Sequence, residues 1–291
     1  MNQLKSRSGS DSEISSRGTE EVRANLTFIV PQDSKPYFKS SALTGGVPEV
    51  YFETEAREVT IHDMRPAAAT LALDRQGFEL RRHQTAVDDL YDDAAVGSVY
   101  DSEIEALLKE AMGADRVVVF DRTRRSDGPS GARNPDGLRG PADRVHVDYT
   151  VASGPIRAAD ILGQDEVTRI LASGGRIVQV NVWRPITGPV RRAPLALADA
   201  ESVAAKELVA TDQVFPDRVG EIYQLAYGDE QRWYWAPEMA RDEVLLIKGW
   251  DSLDDGRARF TPHGAFVLPE QDAAAPPRES IEIRTFVVIE G

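Results

Sequence analysis

Short apolar runs with a period of two dominate the chain, and only three stretches read as helical. Residues 24–30 (ANLTFIV) read as a strand ending at Pro31, and residues 51–61 as a second, weakly alternating one. Residues 102–112 predict a helix: Ser102 as cap, Ile104, Leu107, Leu108 and Met112 as the apolar stripe, Gly113 as the stop. A second helix is expected over 156–172, closed by Gly174 and Gly175, and a short third over 202–209. The runs RVVVF (116–120), RVHVDYT (144–150) and RIVQVNVW (176–183) are β-branched and read as strands. Residues 195–199, 221–226, 231–235, 243–248, 258–266 and 280–289 continue the series. Between residues 122 and 144 the text is rich in Gly, Pro, Arg and Asp without periodicity, so a long loop is expected there. Many short strands separated by turns, with few helices, indicate an α+β, mainly β chain built as a sandwich or barrel. Residues 1–23 read as a flexible polar leader and 24–291 as a single domain.

Charge narrows the class of partner. Lys and Arg total 34 against 48 Asp and Glu, a formal net charge of −14, which repels nucleic-acid backbones and anionic membranes but leaves room for a local cationic pocket. The chain has no cysteine, which excludes disulfides, thiolate metal sites and a thiol nucleophile, and is compatible with a cytoplasmic location. No run approaches the ~20 apolar residues of a membrane span. Oligomeric state is left open, a homodimer included.

The candidate chemistry lies in His146–Val147–Asp148. Residues i and i+2 of a strand share a face, so an imidazole and a carboxylate stand side by side. With one more histidine they make the two-His, one-carboxylate face of non-haem Fe(II) sites, which leaves open positions for a chelating keto acid and dioxygen. Such a triplet arises by chance roughly one time in three in a chain of this composition, so the third ligand matters. Only His62, His83 and His263 can supply it. His263 lies well after the pair in a β-like segment, where a jelly roll returns a strand beside the first, whereas His62 and His83 precede the pair. A 2-oxoglutarate enzyme also needs a cation for the distal carboxylate. Arg278 and Ser280 share a face at the start of the last strand, and Arg284, further along that face, is the rival.

The strings VHVDYT, QVNVWRPITGPVRRAPLALADAESV, WYWAPEM, DEVLLIKGWDS, DGRARFTPHGAF and PRESIEIR resemble the CmcJ/NvfI-type hydroxylase/desaturase family of natural-product oxygenases. The resemblance covers roughly three quarters of the chain, from about Phe78 onward. It implies a double-stranded β-helix (jelly roll, cupin-like) with flanking helices, and a site holding Fe(II) and 2-oxoglutarate with dioxygen as co-substrate. Its iron motif falls on His146, Asp148 and His263, and its arginine motif on Arg278 with Ser280 beside it. Two positions depart from the family pattern: Arg122, where histidine is common, and Gly264, where a larger residue follows the distal histidine. Both are expected to reshape the substrate pocket. Asn181 and Tyr223 are further candidates for the co-substrate, and Trp183 and Arg157 for the substrate, each also explicable by packing or solvation. The reading is an oxygenase that hydroxylates or desaturates a small natural product or amino-acid-derived metabolite. The alternatives are an iron dioxygenase independent of 2-oxoglutarate and a non-catalytic barrel that binds a ligand or partners an oxygenase.

Overall fold

The structure is a computed structural model and describes residues 21–135, 137–272 and 274–291; the expected leader lies almost wholly outside them. Its strands are β1 (Val22–Ile29), β2 (Tyr37–Lys39), β3 (Glu49–Tyr51), β4 (Thr54–Asp63), β5 (Phe78–Arg82), β6 (Arg116–Ser126), β7 (Ala132–Asn134), β8 (Gly137–Arg139) and β9 (His146–Val147). They continue as β10 (Arg176–Thr187), β11 (Leu195–Ala198), β12 (Leu208–Val214), β13 (Val219–Leu225), β14 (Trp233–Trp235), β15 (Glu243–Asp251), β16 (His263–Ala265) and β17 (Glu279–Ile289). One sheet has the order β5-β15-β10-β17-β6 and the other β1-β4-β14-β11-β16-β9-β13-β12-β2-β3, while β7 and β8 form a separate hairpin. This is a mainly β jelly roll, as the strand pattern and the resemblance lead one to expect.

Period-two alternation on β10 explains the layering. Val178, Val180 and Val182 turn outward and pack with Ile281, Ile283 and Val287 of β17 against a helix. The opposite face of β10 carries Gln179, Asn181 and Trp183, all buried between the sheets. A strand covered on both faces reads as a continuous apolar run, and each buried valine contributes about 1.5–3 kcal/mol. The two polar residues in that run therefore need partners, and they mark where the site lies. Between the sheets, Trp183, Leu245 and Ile247 meet Leu195, Leu197 and Ala265.

The helices differ from expectation in where they start and break. Beyond the single turn α1 (Ser41–Thr44), α2 (Asp93–Ala95) runs through a wide turn at Val96–Tyr100 into α3 (Asp101–Met112), so Ser102 is inside the helix and does not cap it. The cap is Asp92, whose Oδ1 accepts from the amides of Ala94 and Ala95 at 2.9 and 3.1 Å. Gly113 ends α3 in the left-handed region at φ 64°. The helix expected over 156–172 is two, α4 (Ser153–Leu162) and α5 (Gln164–Ala172), broken at Gly163, whose φ of 91° no helix accommodates. In place of the helix expected over 202–209, single 3₁₀ turns at Ala200–Ser202 and Ala205–Glu207 lead into β12, a strand whose polar LVATDQV text hid it. The expected loop at 122–144 starts later, since β6 runs to Ser126, and the β7–β8 hairpin occupies its middle. The strand expected over 144–150 is confined to His146–Val147, preceded by an isolated bridge between Arg144 and Thr27.

Candidate metal and co-substrate site

Register brings the two histidines together. His146 on β9 and His263 on β16 are direct antiparallel partners, and their ring centroids are 4.7 Å apart. Asp148, one residue beyond β9, has Oδ1 3.6 Å from His146 Nε2. The Nδ1 of His146 lies 2.9 Å from the Arg144 carbonyl and that of His263 3.0 Å from the Thr261 carbonyl. A carbonyl only accepts, so each ring carries its proton on Nδ1 and presents the Nε2 lone pair to the space between the sheets. Burial, followed by the neighbouring His146, pushes the pKa of His263 down and keeps it a neutral donor.

The carboxylate is held by a polar row that crosses the five-stranded sheet. Asn181, Arg284 and Asp121 face one another in register on β10, β17 and β6. Asp148 Oδ2 accepts from Asn181 Nδ2 at 2.7 Å and from Arg284 Nε at 3.1 Å. Gln179 Nε2 in turn donates to Asn181 Oδ1 at 2.6 Å, which fixes that amide's orientation. Arg284 also donates to Asp121 at 2.5 Å and Thr123 Oγ1 at 2.9 Å, and lies 2.6 Å from Glu282. Burial alone would raise the Asp148 pKa; the charge of Arg284, then His146, more than offsets it and holds the carboxyl well below the usual range. Asn181→Ala should weaken Fe(II) binding by about 10-fold with little loss of fold, since partners of ligating groups typically contribute that much; a metal titration of wild type and variant checks it.

Arg278 behaves differently. It is 2% exposed, donates Nη1 to the Ala193 carbonyl at 2.7 Å, and lies over the Trp183 ring at 5.8 Å. Its Nε and Nη2 are buried without a hydrogen-bond partner among the described residues. Burial, then the nearby Arg125, lowers its pKa to about 10, so it stays charged at neutral pH. It lines a narrow cavity of about 20 Å³ together with His146, His263, Trp183, Arg125 and Arg284. His146, Arg125, Ala142 and Arg284 also border a second, open pocket of about 1010 Å³.

The remaining candidates divide. Trp183 is in the narrow cavity and Arg157 in the open pocket, where it stacks on Phe120 and lies 3.8 Å from Asp160. Asn181 is engaged by Asp148 and Gln179, so it holds the carboxylate, and it is not among the residues that line either pocket. Ser280 donates to the Arg125 carbonyl at 3.4 Å and is not part of the cavity wall. Tyr223 is not brought to the site either: Ile222 and Gln224 of β13 face the pocket, and the pleat turns Tyr223 away onto Phe260. Arg122 points to the far face of β6, where it pairs with Asp101, and so does not shape the pocket. Gly264 does not open space there: a Cβ on it would stand 3.3 Å from Val145 Cα, so the glycine lets β16 approach the backbone before His146. His62 meets Glu21 at the surface, and His83 contacts Arg184; neither approaches the triad. The sequence reading missed Gln179, Asp121, Glu282 and Arg125.

Over residues 26–288 the chain matches the family described as an oxidoreductase/YMDC permease-like domain. Among relatives, the hydroxylase/desaturase efuI of Hormonema carpetanum is 32% identical over 280 residues, covering 86% of this chain and 92% of that protein. The Fe(II)/2-oxoglutarate-dependent dioxygenase nvfI of Aspergillus novofumigatus is 32% identical over 256 residues, covering 83% and 87%. A solved structure of the iron and alpha-ketoglutarate-dependent endoperoxidase NvfI superposes with a TM-score of 0.80 at 29% identity, over 93% of this chain and 99% of that one. The chain belongs to this family of hydroxylase/desaturase oxygenases. Among the described residues no helix is long and apolar enough to cross a membrane.

Proposed function

We propose that the protein is an Fe(II)/2-oxoglutarate-dependent oxygenase that hydroxylates or desaturates a small natural product or amino-acid-derived metabolite in the cytoplasm. In this reading His146, Asp148 and His263 ligate the iron and Arg278 holds the distal carboxylate of 2-oxoglutarate. The observation that carries the reading is the pairing of two features in one cavity. Both histidines line the narrow cavity with a buried guanidinium that has two unpartnered donors, and Asp148 stands 3.6 Å from His146 at the border of the open pocket. Orphaned donors of a buried cation are costly to leave unmet, and a carboxylate meets them. The three ligating side chains are not already closed into a chelate in the described structure, and the cavity admits about one water, so metal and diacid enter with movement of the lining side chains.

Once bound, Fe(II) with 2-oxoglutarate and dioxygen supplies the oxidising power to remove hydrogen from an unactivated carbon. The chain's own groups do the rest. The carbonyls of Arg144 and Thr261 keep both imidazoles in the ligating tautomer, and Asn181 and Arg284 keep Asp148 ionised and oriented. The open pocket, bordered by His146 and Asp148, presents the substrate beside them, and the C–H bond it positions decides between alcohol and alkene.

Succinate release measured against a panel of small metabolites tests the reading, with His146→Ala as control. Substrate-dependent release that falls to background in the variant is expected. Release equal in both proteins, or no visible charge-transfer band from anaerobic Fe(II) plus 2-oxoglutarate in the wild type, would count against it.

A further inference from the structure

Six arginines are among the residues bordering the open pocket, and their charges are not equally satisfied. Arg284 is neutralised by three carboxylates, Arg157 lies near Asp160, and Arg218 beside Asp217. Arg125 gives Nη1 to the Gly140 carbonyl and faces the narrow cavity. Arg144 shares with Arg125 the lack of a carboxylate partner among the described residues, and differs from it in making no side-chain hydrogen bond there. Among the described residues no carboxylate pairs with it, its Nε is buried without a hydrogen-bond partner, and its guanidinium lies over Phe38 and Phe52 at 5.5 and 5.9 Å. Stacking engages the faces of a guanidinium and leaves its N–H edge free, which is the edge a carboxylate takes in bidentate fashion.

We propose that the substrate of this oxygenase carries a carboxylate, and that Arg144, braced by Phe38 and Phe52, is the residue that receives it. This rests on the function proposed above and names the substrate class of the same site. Arg144 is tied to the reaction centre by its own backbone, since its carbonyl takes the Nδ1 proton of His146. The bridge to Thr27 and the hydrogen bond from the Val145 amide to the Thr27 carbonyl keep this stretch extended. A carboxylate on Arg144 sits beside Phe38 and Phe52, and none of these three residues lines the narrow cavity with His146 and His263, so the oxidised carbon lies several bonds from the acid and not next to it.

The test uses anaerobic holoenzyme with Fe(II) and saturating 2-oxoglutarate, so that the Arg278 cavity is already filled. It is titrated by calorimetry with a series of hydrophobic monocarboxylic acids and the matching methyl esters. Acids are expected to bind about 10-fold or more tightly than their esters, Arg144→Gln to abolish that preference, and Arg144→Lys to restore part of it. Ester binding should be the same in all three proteins, and the charge-transfer band in Arg144→Gln shows that the variant is folded. Acids that bind no better than esters, or a preference that survives in Arg144→Gln, overturn the proposal. A missing charge-transfer band in wild type strikes the oxygenase reading instead, because the acid-over-ester difference is read from heat and not from turnover.

Discussion

Replacing Arg278 by methionine should raise the 2-oxoglutarate concentration for half-maximal turnover by about 100-fold or more, since two charge-assisted hydrogen bonds at ~1.5–3 kcal/mol each are lost. The unliganded protein should be as stable as before. The reason for that second half is the state of the guanidinium in the fold: it is buried, held by one bond to the Ala193 carbonyl, and leaves Nε and Nη2 unpartnered. A methionine of similar volume gives up that one bond and the stacking on Trp183, but it also removes two unmet donors and a desolvated charge. Saturation kinetics in 2-oxoglutarate and urea denaturation without it measure the two halves separately. An unchanged half-saturation value would sink the assignment of Arg278 and reopen the case for an oxygenase that does not use 2-oxoglutarate. A large loss of stability would mean the side chain is structural.

The sequence already carried the row in which both arginines stand. Arg278, Ser280, Glu282 and Arg284 alternate with Ile281 and Ile283, and a period-two polar row within an apolar strand marks a face turned to a functional interior. The same pattern is present in Gln179 and Asn181 of RIVQVNVW, but the sequence points to Asn181 alone, and for the co-substrate, whereas both residues belong to the polar row that holds Asp148. What the pattern withheld was pairing across strands. Nothing in the text FDRT says that Asp121 lies opposite Arg284 while Arg122, one residue on, faces α3. A bulge near that point breaks the simple parity of β6 and β17. Tyr223 failed for a related reason: Ile222, Tyr223 and Leu225 put apolar or aromatic groups on both faces of β13, so alternation could not choose the inward one. Helix 156–172 was legible in its two ends but not at its break, because an internal glycine is compatible with a helix until its φ is known.

Arg284→Met should do the reverse of Arg278→Met: lower stability by about 3–5 kcal/mol and impair iron binding, because removing one partner of a buried ion cluster leaves the others uncompensated. Among the described residues Arg284 is the one guanidinium that contacts Asp148, Asp121 and Glu282, at 3.1, 2.5 and 2.6 Å. Of those, Asp148 is held far below its ordinary pKa chiefly by this charge working against its burial, and Asp121 is lowered by the same charge. Without it both carboxyls move upward, and a protonated Asp148 is a poor iron ligand. Fe(II) affinity should therefore recover in part as pH is raised, since deprotonating Asp148 restores the donor even without its partner. In wild type, where the carboxyl is already ionised, Asp148 adds no such dependence near neutral pH. Urea denaturation and Fe(II) titrations at several pH values separate the two effects. Stability within 1 kcal/mol of wild type would show that the three carboxylates find other partners and that the polar row does not depend on this residue. An Fe(II) affinity lost equally at every pH would mean that Arg284 acts on the position of Asp148 and not on its ionisation.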